Sequence, residues 1–333
     1  MPAGPPLQPH DVFVTDFPFT APDQARVQAA LGTRRAIFAA GHDGLGAMLA
    51  AQPAATIVCS FSPPADVLSV APGVRWLALP SAGADIALAR GLIRPGGPVV
   101  TTAAGIHMVP MREHIFSVML LWLRGWPQRL AAQTRHAWLR DGTFWGQREL
   151  AGVTLGIIGL GAIGRGVARL GHAFDMRVVA THRSATAGAT DPDVDALLPL
   201  AQLHDLLAQS DFVVLALPST PASRGLLGAA ELTAMRPHAF LVNIARGDIV
   251  DETALIAALR AGTIGGAGLD VFAHEPLPPE SPLWDMPNVI ISPHIAGPTD
   301  RYSERFTDLF LDNLTRFDNG QPLRNVVDPN RGY

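Results

Sequence analysis

Three glycines, Gly159, Gly161 and Gly164, form the pattern G-x-G-x-x-G between a strand-like apolar run at 154–158 and a helix-like run at 165–174. The first glycine permits a tight turn, the second lets the backbone approach a pyrophosphate, and the third lets helix and strand pack closely. The positive end of the helix would face the phosphates. This context predicts a dinucleotide site, whereas the glycine pattern alone would also suit an ordinary glycine-rich turn.

The composition limits the class of protein. The chain of 333 residues has room for two domains, and its 48% hydrophobic content is ample for two cores. A formal net charge of -4 gives no overall basic field, which argues against nucleic acid and anionic membranes as partners. The N-terminal residues lack a secretory leader pattern, and no apolar run approaches the roughly 18 residues of a membrane span. We therefore expect a cytoplasmic protein.

The chain contains no lysine, so all 25 basic residues are arginine. This excludes Schiff-base and pyridoxal-phosphate enzymes, the lysine-bearing phosphate loop, and nicotinamide enzymes that use a Tyr and Lys pair. The single cysteine, Cys59, lies in an apolar strand-like run and is expected in the core. No metal site is predicted, and proton transfer is expected from a histidine or a carboxylic acid.

Apolar strands alternate with helical stretches in two parts of the chain, which predicts parallel sheets covered on both faces. Strands of the first part are expected at 11–14, 56–61, 74–79 and 99–102. Strands of the second part are expected at 154–158, 177–180, 212–217, 240–244, 268–272 and 289–292. An apolar helix at 111–124 marks the junction, and a helical run at 301–317 is expected to return to the first part.

The predicted division is a substrate domain of residues 1–103 and 297–333 and a dinucleotide-binding domain of residues 104–296. The chain would cross between the domains twice, which is typical of a hinge.

Polar residues follow several strands of the second part, where ligands of open parallel sheets bind. Arg246 follows the strand at 240–244, Asp270 and Glu275 come with the strand at 268–272, and His294 follows the last strand. These side chains are expected to share one edge of the sheet with the glycine loop. By position alone, each has a structural alternative: a solvated arginine, a structural aspartate, a turn-capping glutamate or a surface histidine.

The chain resembles the D-isomer-specific 2-hydroxyacid dehydrogenase family over about two hundred residues. The matching motifs lie at residues 81–85, 112–114, 159–164, 242–247, 268–272, 275–276 and 292–297. The resemblance implies an α/β fold in which a Rossmann-type doubly wound parallel sheet is inserted into a smaller flavodoxin-like substrate domain. It also implies a homodimer.

The resemblance further implies the role of each motif residue. Arg246 would hold the carboxylate and carbonyl of the substrate, and His294 would protonate the carbonyl oxygen as hydride reaches the carbon. Glu275 would pair with the imidazole, which favours its protonated form. Substrate binding is expected from Arg246, His294 and the backbone amides of Ala82 and Gly83. The implied cofactor-binding residues are Gly159, Gly161, Ala162, Ile163, Gly164, His182, Arg183, Ser184, Leu217, Pro218, Thr220, Ile244, Ala245, Asp270, Ala296 and Gly297.

Residues 180–184 indicate which nicotinamide dinucleotide is bound. Sites specific for NAD place an acidic residue at this strand end, whereas a 2′-phosphate is met by an arginine. Here His182 occupies the acidic position, and Arg183 and Ser184 follow. We therefore expect NADPH to be preferred over NADH, with Arg183 and Ser184 on the phosphate; the alternative is a surface arginine beside a permissive NAD site.

The expected reaction is reduction of a small 2-oxo acid, such as glyoxylate or hydroxypyruvate, to the D-2-hydroxy acid by an oxidoreductase of EC class 1.1.1. Residues 78–81 carry no arginine to meet a phosphate, which argues against phosphoglycerate. Residues 107–111 depart from the commoner family pattern, so a bulkier 2-oxo acid remains open. The alternatives are oxidation of formate or phosphite and a non-catalytic dinucleotide-sensing corepressor.

Overall fold

The computed structural model describes residues 8–39, 44–140 and 148–329. The chain forms two compact units. The first unit consists of Met1–Ile106 and Pro298–Tyr333, and the second of His107–Gly297. The boundaries predicted from the sequence lie three residues and one residue earlier along the chain.

The elements of the described residues follow one another as alternating strands and helices. The strands are β1 (Val12–Thr15), β2 (Arg35–Phe38), β3 (Ala55–Cys59), β4 (Trp76–Ala78), β5 (Val99–Thr101), β6 (Thr154–Ile158), β7 (Arg177–His182), β8 (Ala196–Pro199), β9 (Phe212–Leu215), β10 (Phe240–Asn243), β11 (Gly266–Leu269) and β12 (Val289–Ile291). The helices are α1 (Ala21–Leu31), α2 (Leu45–Ala51), α3 (Val67–Val70), α4 (Asp85–Ala89), α5 (Met108–Leu123), α6 (Trp126–Gln133), α7 (Ala162–Ala173), α8 (Leu203–Gln209), α9 (Ala229–Ala234), α10 (Glu252–Ala261) and α11 (Tyr302–Asp318).

The first unit is a parallel sheet in the order β2-β1-β3-β4-β5, the flavodoxin-like arrangement. Successive strand residues point to opposite faces and enter different cores. Phe13 packs with residues of α1 and α11 on one face. Val12 and Val14 pack with residues of α2, α3 and α4 on the other. Helix α11 therefore completes the first unit although it follows the second in sequence.

The second unit is a parallel sheet in the order β12-β11-β10-β9-β6-β7-β8. The chain runs outward from β6 through β7 to β8 and then returns to β9 on the other side of β6. This reversal creates a switch point between β6 and β9, and ligands of such sheets bind outside the carboxyl ends of the strands there. Two apolar cores cover the two faces of the sheet, and α5 packs against α7 in one of them.

The predicted fold class is confirmed, with differences at particular elements. Strands β2 and β8 are absent from the sequence-based prediction. Both are edge strands of only four residues, which are exposed or partly buried. Helix α5 begins earlier than expected, with Pro110 in its first turn, where proline is tolerated. Within residues 8–39, 44–140 and 148–329, no helix is long and apolar enough to cross a membrane.

Candidate active site

The glycine loop between β6 and α7 has the geometry that its sequence predicts. Gly159 has φ +103°, and a Cβ there would lie 2.6 Å from the carbonyl oxygen of Ala216. A Cβ on Gly164 would lie 2.2 Å from the carbonyl oxygen of Gly159. Side chains at these two positions would collide with backbone atoms, so the turn and the close approach of α7 both require glycine.

Gly161 differs from its two neighbours, because a Cβ there would meet nothing within 4 Å. It is the exposed N-cap of α7, and no side chain caps this end of the helix. Exposed Ala162 and half-buried Ile163 begin the first turn. The open space and the helix N-terminus suit the pyrophosphate of a dinucleotide.

The end of β7 carries the residues predicted to select the cofactor. His182 is half-buried, while Arg183 and Ser184 are exposed. The Ser184 hydroxyl lies 2.9 Å from Nδ1 of His182, so the imidazole supports the turn that begins the loop. No carboxylate occurs at residues 180–184.

The loop after β9 forms the other side of the switch point. The Thr220 amide donates to the Ser223 hydroxyl at 2.8 Å, and that hydroxyl donates to the Pro218 carbonyl at 2.7 Å. Leu217 and Thr220 are half-buried and Pro218 is exposed. The predicted cofactor residues of this loop therefore lie at an ordered turn beside the glycine loop.

Arg246 lies in the turn after β10, which Asn243 holds. The Asn243 side chain accepts from the amide of Ala245 and donates to the carbonyl of Arg246, both at 3.0 Å. The Arg246 guanidinium donates to the Ala245 carbonyl at 2.8 Å. Asn243 is 1% exposed, so the backbone beneath the arginine is fixed by a buried side chain. Ile244 and Ala245 are buried in the same turn.

The turn after β10 contacts the turn after β11 directly. A Cβ on Gly247 would lie 1.9 Å from the carbonyl carbon of Phe272, so the two backbones touch. The Asp270 amide also donates to the Asn243 carbonyl at 3.0 Å. These contacts order the segments that carry Arg246 and Glu275.

His294 and Glu275 form a hydrogen-bonded pair. The distance between Nδ1 of His294 and Oε2 of Glu275 is 2.7 Å, and their side chains are 48% and 35% exposed. The other carboxylate oxygen of Glu275 accepts from the Phe272 amide at 3.0 Å. The imidazole is thus oriented by a carboxylate that is itself held by backbone, while part of the ring faces solvent.

His294 adopts a left-handed backbone conformation with φ +54°, which residues other than glycine rarely adopt. Asp270, 1% exposed, holds this conformation. Its carboxylate accepts from the Ser292 hydroxyl at 2.6 Å and from the amides of Ile295 and Ala296, both at 2.9 Å. Its carbonyl accepts from the His294 amide at 2.8 Å. Such a backbone persists where surrounding bonds determine it.

This arrangement bears on the predicted cofactor residues Asp270, Ala296 and Gly297. Both carboxylate oxygens of Asp270 are engaged within the protein, as is the amide of Ala296. A Cβ on Gly297 would lie 3.2 Å from Nδ1 of His107, which leaves little room for a side chain. Contacts of these residues with the cofactor remain predictions, and the structural alternative for Asp270 has gained direct support.

Sequence reasoning missed the part that His114 and Ser292 play. The imidazole of His114 lies 3.2 Å from the Ser292 hydroxyl, which bonds to Asp270. Burial lowers the pKa of His114, although the nearby charge of Asp270 opposes the shift. The sequence signal was Ser292, a polar residue directly after β12, but its partner His114 lies 178 positions earlier in the chain.

The first unit carries Ala82 and Gly83, the other predicted substrate residues. They follow β4 in a half-buried turn, where the Ser81 hydroxyl donates to the Gly83 carbonyl at 2.7 Å. The Ala103 amide donates to the Ser81 carbonyl at 2.8 Å, and the Tyr302 hydroxyl donates to the Pro80 carbonyl at 2.7 Å. Three hydrogen bonds therefore fix this turn.

The family model described as "D-isomer specific 2-hydroxyacid dehydrogenase, NAD binding domain" matches residues 116–296. Over 270 residues the chain is 33% identical to a glycerate dehydrogenase from Methylorubrum extorquens, covering 79% of this chain and 82% of that protein. Over 277 residues it is 35% identical to a glyoxylate reductase from Aeropyrum pernix, covering 79% of each.

Solved structures agree with this assignment. A D-isomer specific 2-hydroxyacid dehydrogenase from Xanthobacter autotrophicus in complex with NADPH superimposes with a TM-score of 0.83 at 31% identity, covering 97% of this chain and 99% of that chain. An NADPH-dependent glyoxylate/hydroxypyruvate reductase from Sinorhizobium meliloti in complex with NADP gives 0.82 at 28% identity, covering 97% and 100%. The chain belongs to the D-isomer-specific 2-hydroxyacid dehydrogenase family. The predicted family and nicotinamide dinucleotide cofactor are confirmed.

Proposed function

We propose that this protein reduces a small 2-oxo acid, such as glyoxylate or hydroxypyruvate, to the D-2-hydroxy acid, with NADPH preferred over NADH. The observation that carries the proposal is the 2.7 Å pair of His294 and Glu275, held on a left-handed turn at the end of β12. A histidine oriented by a carboxylate is suited to donate a proton to a carbonyl oxygen.

Arg246 binds the carboxylate and carbonyl of the substrate in this proposal. The planar guanidinium offers parallel donors that match a carboxylate, and it remains charged at any working pH. The buried Asn243 fixes the turn beneath it through two hydrogen bonds. The backbone that carries the arginine is therefore ordered before substrate binds. Binding of substrate by the amides of Ala82 and Gly83 stays a prediction.

His294 supplies the proton. With Nδ1 facing Glu275, Nε2 is the ring nitrogen left to donate to the carbonyl oxygen of the substrate. A bound reduced nicotinamide supplies the hydride that reduces the carbonyl carbon. The product hydroxyl keeps the proton, and the neutral imidazole regains one from solvent, to which its side chain is 48% exposed.

NADPH is proposed because Arg183 and Ser184 follow β7 and no carboxylate is present there to meet a free ribose hydroxyl. Relatives support this choice, since two similar structures contain NADPH or NADP. A homodimer and a cytoplasmic location remain predictions from the sequence.

The test is the loss of reduced-nicotinamide absorbance with glyoxylate, hydroxypyruvate and phenylpyruvate, each with NADPH and NADH. Loss of a general acid lowers a rate by about a hundredfold to ten-thousandfold, and we expect this fall in kcat for His294→Ala. His204→Ala is the matched control, because His204 also pairs with a glutamate, Glu231, at 3.2 Å on an exposed surface.

The outcomes separate the candidates. Turnover that is lost in His294→Ala and kept in His204→Ala supports the reductase. Equal loss in both variants would remove the assigned role of His294. Binding of NADPH without turnover of any oxo acid would favour the dinucleotide-sensing alternative instead.

A further inference from the structure

Three successive sets of contacts between charged side chains, here called the rungs of a charged ladder, bind the connection between β7 and β8 to helix α7. The Arg165 guanidinium donates two hydrogen bonds to the Asp191 carboxylate, at 2.8 and 2.7 Å, and one to the Asp193 carboxylate at 2.8 Å. Arg169 contacts Asp193 at 2.9 Å. The arginines are four positions apart and so lie on the same face of α7.

A third rung lies one turn further along α7. His172 faces Asp195 at 3.2 Å, and the same carboxylate oxygen accepts from the Val178 amide at 2.7 Å. Between the rungs, Val194 enters the apolar core. Residues 191–195 are thus attached to the helix and the sheet along their length.

The ladder divides the connection into a fixed part and a short loop. Residues 183–190 run from the end of β7 to the first rung, and this loop begins with Arg183 and Ser184. Its far end is held where Asp191 meets Arg165, one residue after Gly164. The side chains of Asp191 and Asp193 are only 13% and 16% exposed, whereas those of Arg165 and Arg169 are 36% and 58% exposed, so these pairs are partly shielded from solvent.

We propose that the cluster of Arg165, Asp191 and Asp193 determines cofactor specificity by positioning the loop 183–190. Held by this cluster, the loop places Arg183 and Ser184 where they bind the 2′-phosphate of NADP. This inference rests on the proposed cofactor preference. Asp191 and Asp193 are positioning residues, since they act on the phosphate through the loop.

Electrostatics and positioning predict opposite results for the same substitution. Asp191→Asn removes a negative charge near the end of the loop and leaves Arg165 less neutralised. If charge alone mattered, an anionic 2′-phosphate would bind more tightly. If the loop must be held in place, it binds less tightly, because one side of the bidentate pair is lost.

The experiment measures binding of adenosine 2′,5′-bisphosphate and of 5′-AMP by calorimetry, which does not depend on turnover. We expect Asp191→Asn and Asp193→Asn to weaken binding of the bisphosphate by about five- to tenfold, which is the scale of a partly shielded ion pair, and to leave 5′-AMP nearly unchanged. The ratio of kcat/KM for NADPH to that for NADH is expected to fall in parallel. Asp191→Glu, which keeps the charge, is expected to restore part of the loss.

Asp195→Asn is the matched control, because it removes a carboxylate from the same connection at the rung farthest from the loop. It should leave the bisphosphate-to-AMP ratio unchanged. Tighter or unchanged bisphosphate binding in Asp191→Asn, or an equal loss in Asp195→Asn, overturns the proposal. Failure of the cofactor assignment itself is distinguished by Arg183→Ala, which would then leave the ratio at its wild-type value.

Discussion

Replacing Asp270 by asparagine should loosen the turn that carries His294. The carboxylate accepts the Ser292 hydroxyl and the Ile295 amide on one oxygen and the Ala296 amide on the other. An asparagine keeps one accepting oxygen and places two N–H donors on the other side. In either orientation, one backbone amide therefore faces a donor.

The magnitude follows from burial. Asp270 is 1% exposed, so water cannot replace the lost acceptor. Losing a hydrogen bond to a charged group and leaving a buried donor unpaired costs about 2–4 kcal/mol together. We expect the free energy of unfolding in urea to fall by this amount, and kcat to fall further than KM rises because the orientation of His294 is disturbed.

Ser292→Ala serves as the comparison, because it removes one donor to Asp270 and leaves both amides paired. The lost hydroxyl also contacts His114, but no buried amide is left facing a donor, so the loss of stability in Ser292→Ala should be smaller than that of Asp270→Asn. The carboxylate does not hold the turn if the free energy of unfolding of Asp270→Asn lies within about 0.5 kcal/mol of the wild-type value, which is the usual range for surface substitutions. A rise in the KM for NADPH with kcat and stability unchanged would instead indicate the cofactor contact predicted from the sequence.

Two further predictions follow from the glycine loop and the charged ladder. Gly164→Ala should lower the melting temperature, because its Cβ would lie 2.2 Å from the Gly159 carbonyl oxygen. The Cβ of Gly161→Ala meets nothing within 4 Å, so this variant should fold normally but bind NADPH more weakly. Similar melting temperatures for the two variants would contradict this prediction. Hydrogen bonds from Arg169 and then Arg165 lower the pKa of Asp193 to about 2. Its ionised form therefore favours folding above the ordinary carboxyl pKa of about 4, and this contribution is lost as pH falls from about 4 to 2. Urea unfolding should show a stability gap between wild type and Asp193→Asn that is larger at neutral pH than near pH 2, and a constant gap would refute the argument.

Much of the candidate site could be predicted from the sequence because its signals are local. The turn after β6 depends on glycines within six residues, and two of them are required by contacts with the backbone of Ala216 or of Gly159. Polar residues directly after strands also reveal their position, since parallel strands bring their carboxyl ends to one edge. The pair of His294 and Glu275 was expected from its motifs, and the structure places its atoms 2.7 Å apart.

Other features depend on the tertiary structure. Strands β2 and β8 are edge strands of four residues with exposed or partly buried side chains, and their short apolar runs become strands by pairing with the neighbouring strand. The contact of His114 with Ser292 joins residues 178 positions apart, and the contact of Arg165 with Asp191 joins residues 26 positions apart.

The sequence by itself determined the α/β class and the glycine loop, because these follow from short-range backbone constraints. Through its motifs it also indicated the side chains that we propose to react. Only the tertiary structure showed that the Asp270 carboxylate is hydrogen-bonded within the protein. An aspartate after a strand can face a ligand or turn inward, and the outcome depends on which donors lie within reach. Here a hydroxyl and two amides converge on its buried carboxylate and stabilise the left-handed turn at His294.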